Sequence, residues 1–160
     1  MSEELEARVA ALERRMAALE GGGAGFWALE GLKKQLAPNG PGGVLFTGAA
    51  RLPTDEAYEW QYGLTTEDLL AIDWEQAAES FAALGHPVRM RLLREIAHGR
   101  RTVAELAALE GLGTTGQIYH HLRQLSAAGW LHTTGRGRHE IPATRVIPLL
   151  VALATTRSPS

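Results

Sequence analysis

A chain of 160 residues has room for one or two small domains with a packed core. It contains no cysteine, which excludes disulfides and thiolate metal sites, and no run is apolar enough to span a bilayer. The net charge of −2 conceals a split: residues 1–80 carry 14 acids against 6 basic residues, whereas residues 81–160 carry 4 acids against 10 arginines and all six histidines. Such asymmetry fits an acidic attachment joined to a module that meets a polyanion; a crowded acidic start without functional meaning is the alternative. The opening Met1-Ser2-Glu3-Glu4 is acidic, unlike a signal peptide, so a cytoplasmic location without membrane association is expected.

Residues 1–20 read as an amphipathic helix. Leu5, Val9, Leu12, Met16 and Leu19 alternate in steps of four and three, as a and d positions of a heptad do. Arg8 with Glu13, and Arg15 with Glu20, set opposite charges at successive g and e positions, so pairing with a second copy as a short coiled coil is expected. Fewer than three full heptads is marginal for that, and packing on its own chain is the competing reading. Residues 21–25, Gly-Gly-Gly-Ala-Gly, form a flexible linker.

Residues 26–72 make an accessory region. Phe26, Trp27, Leu29, Leu32 and Leu36 predict a short helix that stops before the turn chemistry of Pro38 to Gly43. Val44 to Thr47 and Glu56 to Tyr62 predict two strands about a loop at Arg51 to Asp55, a β-hairpin. Phe46, Tyr58 and Trp60, with Trp74, could line a small-molecule pocket, or could simply be core.

Residues 73–156 form the third section. Thr65 with Asp68, and Asp73 with Gln76, are helix start signals; the second opens a helix with Trp74, Ala77, Ala78, Phe81 and Leu84 on its inner side. Pro87 starts the next helix, which buries Val88, Leu92, Leu93 and Ile96 and shows Arg89, Arg91 and Arg94 outside. Thr102 caps a further helix with Glu105, and Gly111-Leu112-Gly113 turns tightly into residues 114–128. There Ile118, Leu122 and Leu125 make one apolar stripe, while Gly116, Tyr119, His120 and Arg123 fall opposite it with Thr115 beside them. Thr114 and Gln117 complete a capping box. The polar face carries no acid and no lysine; it offers little bulk at its entry, then hydrogen-bonding groups and one cation, the surface a DNA major groove accepts. Helix, glycine-containing turn and helix with an exposed polar face make a helix-turn-helix. Residues 130–133 and 138–141 then flank Thr134-Gly135-Arg136-Gly137, a basic hairpin. Arg100, Arg101, Arg123, Arg136 and Arg138 flank the reading helix on both sides. The apolar segment with Val146, Ile147, Leu149, Leu150, Val151 and Leu153 must be covered by the domain or by a second subunit, with Pro142 and Pro148 limiting where its helix begins.

Chemistry of other kinds finds little support. His120 and His121 are adjacent on a helix and point about 100° apart, so they cannot chelate one ion from there. His120 is expected to face outward and His121 to be a hydrogen-bonded packing residue. His132 and His139 would sit across the hairpin from each other, without a third ligand for zinc. Gly111 to Gly116 spells G-x-G-x-x-G, but a helix rather than a strand precedes it and no acid follows at the required distance. No catalysis and no cofactor are expected.

From Phe81 to about Ala154 the chain resembles the ArsR-type winged helix-turn-helix regulators of bacteria. The resemblance rests on Leu84-Gly85-His86-Pro87-Val88-Arg89-Met90-Arg91-Leu92-Leu93, on Ala104-Glu105-Leu106-Ala107, on Tyr119-His120-His121-Leu122-Arg123-Gln124-Leu125 followed by Ala127-Ala128-Gly129-Trp130, and on Gly135-Arg136-Gly137-Arg138. It implies a homodimeric repressor that binds a near-palindromic operator and is released by an inducer. By that likeness Thr115, Gly116, Gln117, Tyr119, His120 and Arg123 would face the groove, Arg136 and Arg138 would reach the backbone or minor groove, and the helix after Pro142 would join a dimer interface. The family's metal sensors place cysteines in the first helix of the motif, or Asp and His on the last helix. Residues 103–109 and 146–156 offer none of these, so metal sensing is not expected. The expectation is thus a mainly α protein with small β-hairpins, a winged helix-turn-helix with a coiled-coil-like N-terminal helix and an added hairpin, acting as a sequence-specific double-stranded DNA-binding regulator. The alternative is a protein-interaction adaptor that recruits through the coiled coil and hairpin, with the winged helix as scaffold.

Overall fold

The computed structural model describes residues 3–19 and 26–158, so the predicted linker at 21–25 lies outside the described residues. They group into two compact units, residues 1–45 with 63–70, and residues 46–62 with 71–160. No helix among the described residues is long and apolar enough to cross a membrane.

In the first unit, α1 (Glu3–Leu19) follows the heptad pattern, with Glu3, Glu4 and Glu6 in its first turn where the helix dipole favours anions. Leu5, Val9, Leu12 and Met16 are all exposed; the side chain of Leu19 lies outside the described set. Helix α2 (Trp27–Gln35) ends ahead of Pro38.

Strands β1 (Gly43–Arg51) and β2 (Ala57–Thr65) form a two-stranded sheet and are longer than the predicted runs at 44–47 and 56–62. Gly48, Ala49 and Ala50 have low strand propensity, yet the backbone continues through them. The reason is tertiary: a Cβ at Gly48 would lie 2.8 Å from Ile147 Cγ2, so only glycine lets the strand approach that side chain. The hairpin closes through Leu52 N–H to Glu56 O (2.8 Å) and Asp55 N–H to Leu52 O (2.9 Å), with Asp55 at φ 70°. Thr65 caps α3 (Thr66–Ala71) by accepting from Asp68 N–H at 3.0 Å.

The second unit is built on α4 (Trp74–Leu84), α5 (Pro87–Ala97), α6 (Val103–Ala107), α7 (Thr115–Ala127), a short hairpin of β3 (His132–Thr134) and β4 (Arg138–Glu140), and α8 (Ala143–Thr155). One core joins Leu92, Leu93 and Ile96 of α5 with Leu106, Leu112, the α7 stripe, Trp130, Leu131 and Val146, and Leu52 and Tyr58 of the first hairpin pack against it. This is a mainly helical winged helix-turn-helix with small β-hairpins.

Three expectations about burial change. The inner face of α4 is the stripe through Ser80, Ala83 and Leu84, because Trp130 Nε1–H donates to Ser80 O at 3.2 Å and Arg89 donates to Ala82 O and Ala83 O. That rotation leaves Trp74 62% and Phe81 70% exposed. On α8, Val146 and Leu149 are consumed by the chain's own core and are not available to a dimer, whereas Leu150 and Leu153 stay 39% and 42% exposed. The helix starts directly after Pro142 and carries Pro148 inside, at the cost of one backbone hydrogen bond. The four aromatics assigned to one pocket do not share one: an open apolar groove of about 740 Å³ takes Phe46 but not Tyr58, Trp60 or Trp74. Tyr58 instead packs on the core and donates to Glu56 Oε2 at 3.1 Å.

Candidate nucleic-acid interface

The motif is assembled from caps and a plugged turn. Thr102 Oγ1 accepts from Glu105 N–H at 3.2 Å and donates to Glu105 Oε1 at 2.8 Å, opening α6. Leu112 is buried between Gly111 and Gly113, which both take positive φ (81° and 89°), a backbone that side chains with a Cβ rarely adopt. Arg91 braces the turn from α5 by donating to Glu110 O at 2.5 Å. A Cβ at Gly113 would also run into Gln117 Oε1.

Helix α7 carries the complete capping box: Gln117 N–H donates to Thr114 Oγ1 at 3.2 Å, and Thr114 N–H donates to Gln117 Oε1 at 2.8 Å. Ile118, Leu122 and Leu125 are fully buried, which turns Thr114, Thr115, Gly116, Gln117, Tyr119, His120 and Arg123 outward, all exposed. The cap changes what Gln117 can offer. One lone pair of its carboxamide oxygen is committed to the backbone, and its NH2 end remains to donate outward.

In the β3–β4 hairpin, His132 pairs with Glu140, Thr133 with His139 and Thr134 with Arg138. The two histidines are therefore one step out of register and do not face each other as expected, which removes the pairing a metal would need. Arg136 sits at the tip with φ 68°, and both Arg136 and Arg138 are exposed. No group of three His, Cys, Asp or Glu residues that could hold a metal occurs among the described residues.

Of the two arginines before α6, Arg100 is exposed and pairs with Glu95 at 2.6 Å. Arg101 is only 8% exposed and is withdrawn from the candidate DNA surface. Its guanidinium pairs with Glu56 of the first hairpin and with Glu140 of β4 (3.3 Å), and its Nε–H points to Ile96 O. Arg101 O also accepts from His139 N–H at 2.7 Å. This cluster went unread in the sequence, where nothing ties residue 56 to residues 101 and 140. The Arg101 guanidinium beside it, helped by the Thr54 hydroxyl, holds the Glu56 carboxyl down at about 2.

His121 behaves as the packing residue expected. It is half-buried, its ring lies 4.6 Å from that of His86, and its Nδ1 faces Arg89 Nη1 at 3.3 Å. A guanidinium only donates, so Nδ1 accepts and the ring is neutral. His86 is likewise held as an acceptor, capping α5 by receiving Val88 N–H at 3.1 Å. Burial first, then the neighbouring His86, Arg89 and His120, push the His121 pKa below its ordinary value. Burial also lowers that of His139, whose Nδ1 has no partner among the described residues. Both depressions have one sign: below about pH 6.5 the unfolded chain takes up protons that the folded chain refuses, so stability falls as the pH drops through that value. The urea midpoint should decline from pH 7 to pH 5, and His121→Gln should make the decline shallower. An unchanged decline would clear His121 of any part in it.

A family described as a helix-turn-helix domain matches residues 84–133, from the last residue of α4 into β3. No curated protein matches the chain. The matched segment contains the plugged turn and the whole of α7.

Proposed function

We propose that this helix-turn-helix DNA-binding regulator is a homodimeric repressor of the ArsR type, which reads a near-palindromic operator through α7 and acts without catalysis. The observation that carries the reading is the exposed face of α7. Thr115, Gly116, Tyr119, His120 and Arg123 stand outward on a helix whose opposite stripe is fully buried, and no acid interrupts them. Gln117 joins them as a donor, Thr114 stands at the entry, and Arg136 and Arg138 are exposed cations suited to phosphate, while the exposed Arg100 would have to leave Glu95 to join them.

Two apolar surfaces support self-association. The described seam residues of α1 (Leu5, Val9, Leu12, Met16) are exposed, as in an unpaired coiled-coil helix. The groove of about 740 Å³ between α4 and α8, with Phe81, Ile72 and Leu153 in its lining, has no charged residue in it. A contiguous apolar patch of that kind is what a second copy covers. A two-fold dimer would set its half-sites about 34–36 Å apart. The sequence has no cysteine, and His132 and His139 lie out of register on the hairpin, which fits a regulator that does not sense a metal.

Titration of labelled duplex at two salt concentrations tests the reading. Binding that tightens strongly at low salt, with one sequence preferred over random duplex, is the expected result. An adaptor that uses the winged helix only as scaffold would bind neither duplex at either salt.

A further inference from the structure

A second cavity, of about 710 Å³, lies between the tip of the first hairpin, α5 and α8. Leu52 and Pro53 of the hairpin, Leu93 and Ala97 of α5, and Leu150 and Leu153 of α8 supply apolar walls. Unlike the uncharged groove on the other side of α8, this one carries Arg51, Arg91, Arg94 and His98 and no Asp or Glu. The charges are also uncompensated. Arg51 donates to the carbonyl of Asp55 at 3.1 Å and Arg91 to that of Glu110, both neutral oxygens, and no carboxylate among the described residues pairs with Arg94. Two arginines elsewhere in this unit are neutralised: Arg100 by Glu95, and Arg101 by Glu56 and Glu140.

An apolar basin ringed by unneutralised guanidiniums is complementary to one ligand chemistry, an apolar body ending in an anion. We propose that this cavity binds an amphipathic carboxylate, with its hydrocarbon over Leu93, Ala97 and Leu150 and its head group at Arg51 and Arg94. The volume falls within the range of small-molecule sites. The site has a mechanical link to the wing. The hairpin loop that walls it leads directly into Glu56, which is paired through Arg101 to Glu140 at the base of β4. As an inducer site it rests on the repressor reading; as a binding site it stands without DNA.

Calorimetric titration of the full chain with decanoate tests it, with decyltrimethylammonium and decanol as tails of the same length bearing opposite or no charge. Decanoate should bind with one site per chain, and the cationic and neutral tails at least tenfold more weakly. The exposed pair Arg51→Gln with Arg94→Gln should weaken decanoate by about tenfold or more while leaving the urea midpoint unchanged. Ala97→Phe, which fills the basin, should weaken all tails together. Equal binding of the three tails, or undiminished binding by the arginine double variant, would overturn the proposal. So would a fall in sedimentation mass from two copies to one on adding decanoate, since that would assign the cavity to self-association. Failure of the duplex titration would leave each of these outcomes readable.

Discussion

Arg101→Met is expected to lower stability by about 2–3 kcal/mol at neutral pH, the largest single-residue effect outside the apolar core. Removing one partner of a buried ion pair ordinarily costs about 3–5 kcal/mol, because the other charge is left without compensation. Here two carboxylates would be stranded, but the Glu56 and Glu140 side chains are 37% and 31% exposed, and water would take up part of the burden. The same network sets an acid limb. Glu56, held at about 2 against an ordinary 4.5, contributes stability that is complete above about pH 4.5 and is lost as the pH falls toward 2. Urea midpoints of the parent, Arg101→Met and Glu56→Gln at pH 7 and pH 3 measure both effects. A midpoint for Arg101→Met equal to the parent's would show that the cluster holds nothing together. Because Arg101 is enclosed, its loss should also leave the salt dependence of duplex binding unchanged where the variant is folded.

The opposite pattern is expected at the wing. Arg136→Ala with Arg138→Ala removes two exposed cations without touching the core, so the urea midpoint should hold while duplex affinity drops by roughly tenfold per lost phosphate contact near 0.1 M salt. The loss should be the same for operator and random duplex, and the slope of log affinity against log salt should shrink by about one per contact. Changes on α7 should separate from this. Tyr119→Ala or His120→Ala should shift which sequences are preferred, since groove-facing groups meet base edges and not phosphate alone. If the wing double variant bound random duplex as tightly as the parent, the wing would have to be taken out of the interface.

These two expectations differ in where they came from. The outward face of α7 was legible in the sequence alone, because an apolar stripe at Ile118, Leu122 and Leu125 leaves one arc of the helix outside, and the Thr114–Gln117 box marks where it begins. Both signals act over a few residues, and the fold leaves them intact. Arg101 could not be read the same way. In sequence it stands beside Arg100 ahead of a helix cap, and the pair looks like one basic patch. The fold sends one side chain out to Glu95 and the other inward to a carboxylate 45 residues earlier.

Periodicity, caps and turn glycines therefore determined by themselves that α5, α6 and α7 exist, where the motif turns, and which arc of α7 is outside, since each depends on neighbours within about one helical turn. Only the tertiary structure decided that α4 buries Ala83 beside Leu84 and leaves Trp74 and Phe81 exposed, that Val146 and Leu149 are consumed by the chain's own core, and that Gly48 carries a strand past Ile147. Each of those outcomes turns on a partner far along the chain, and an apolar or charged residue has the same identity whether it meets that partner or water.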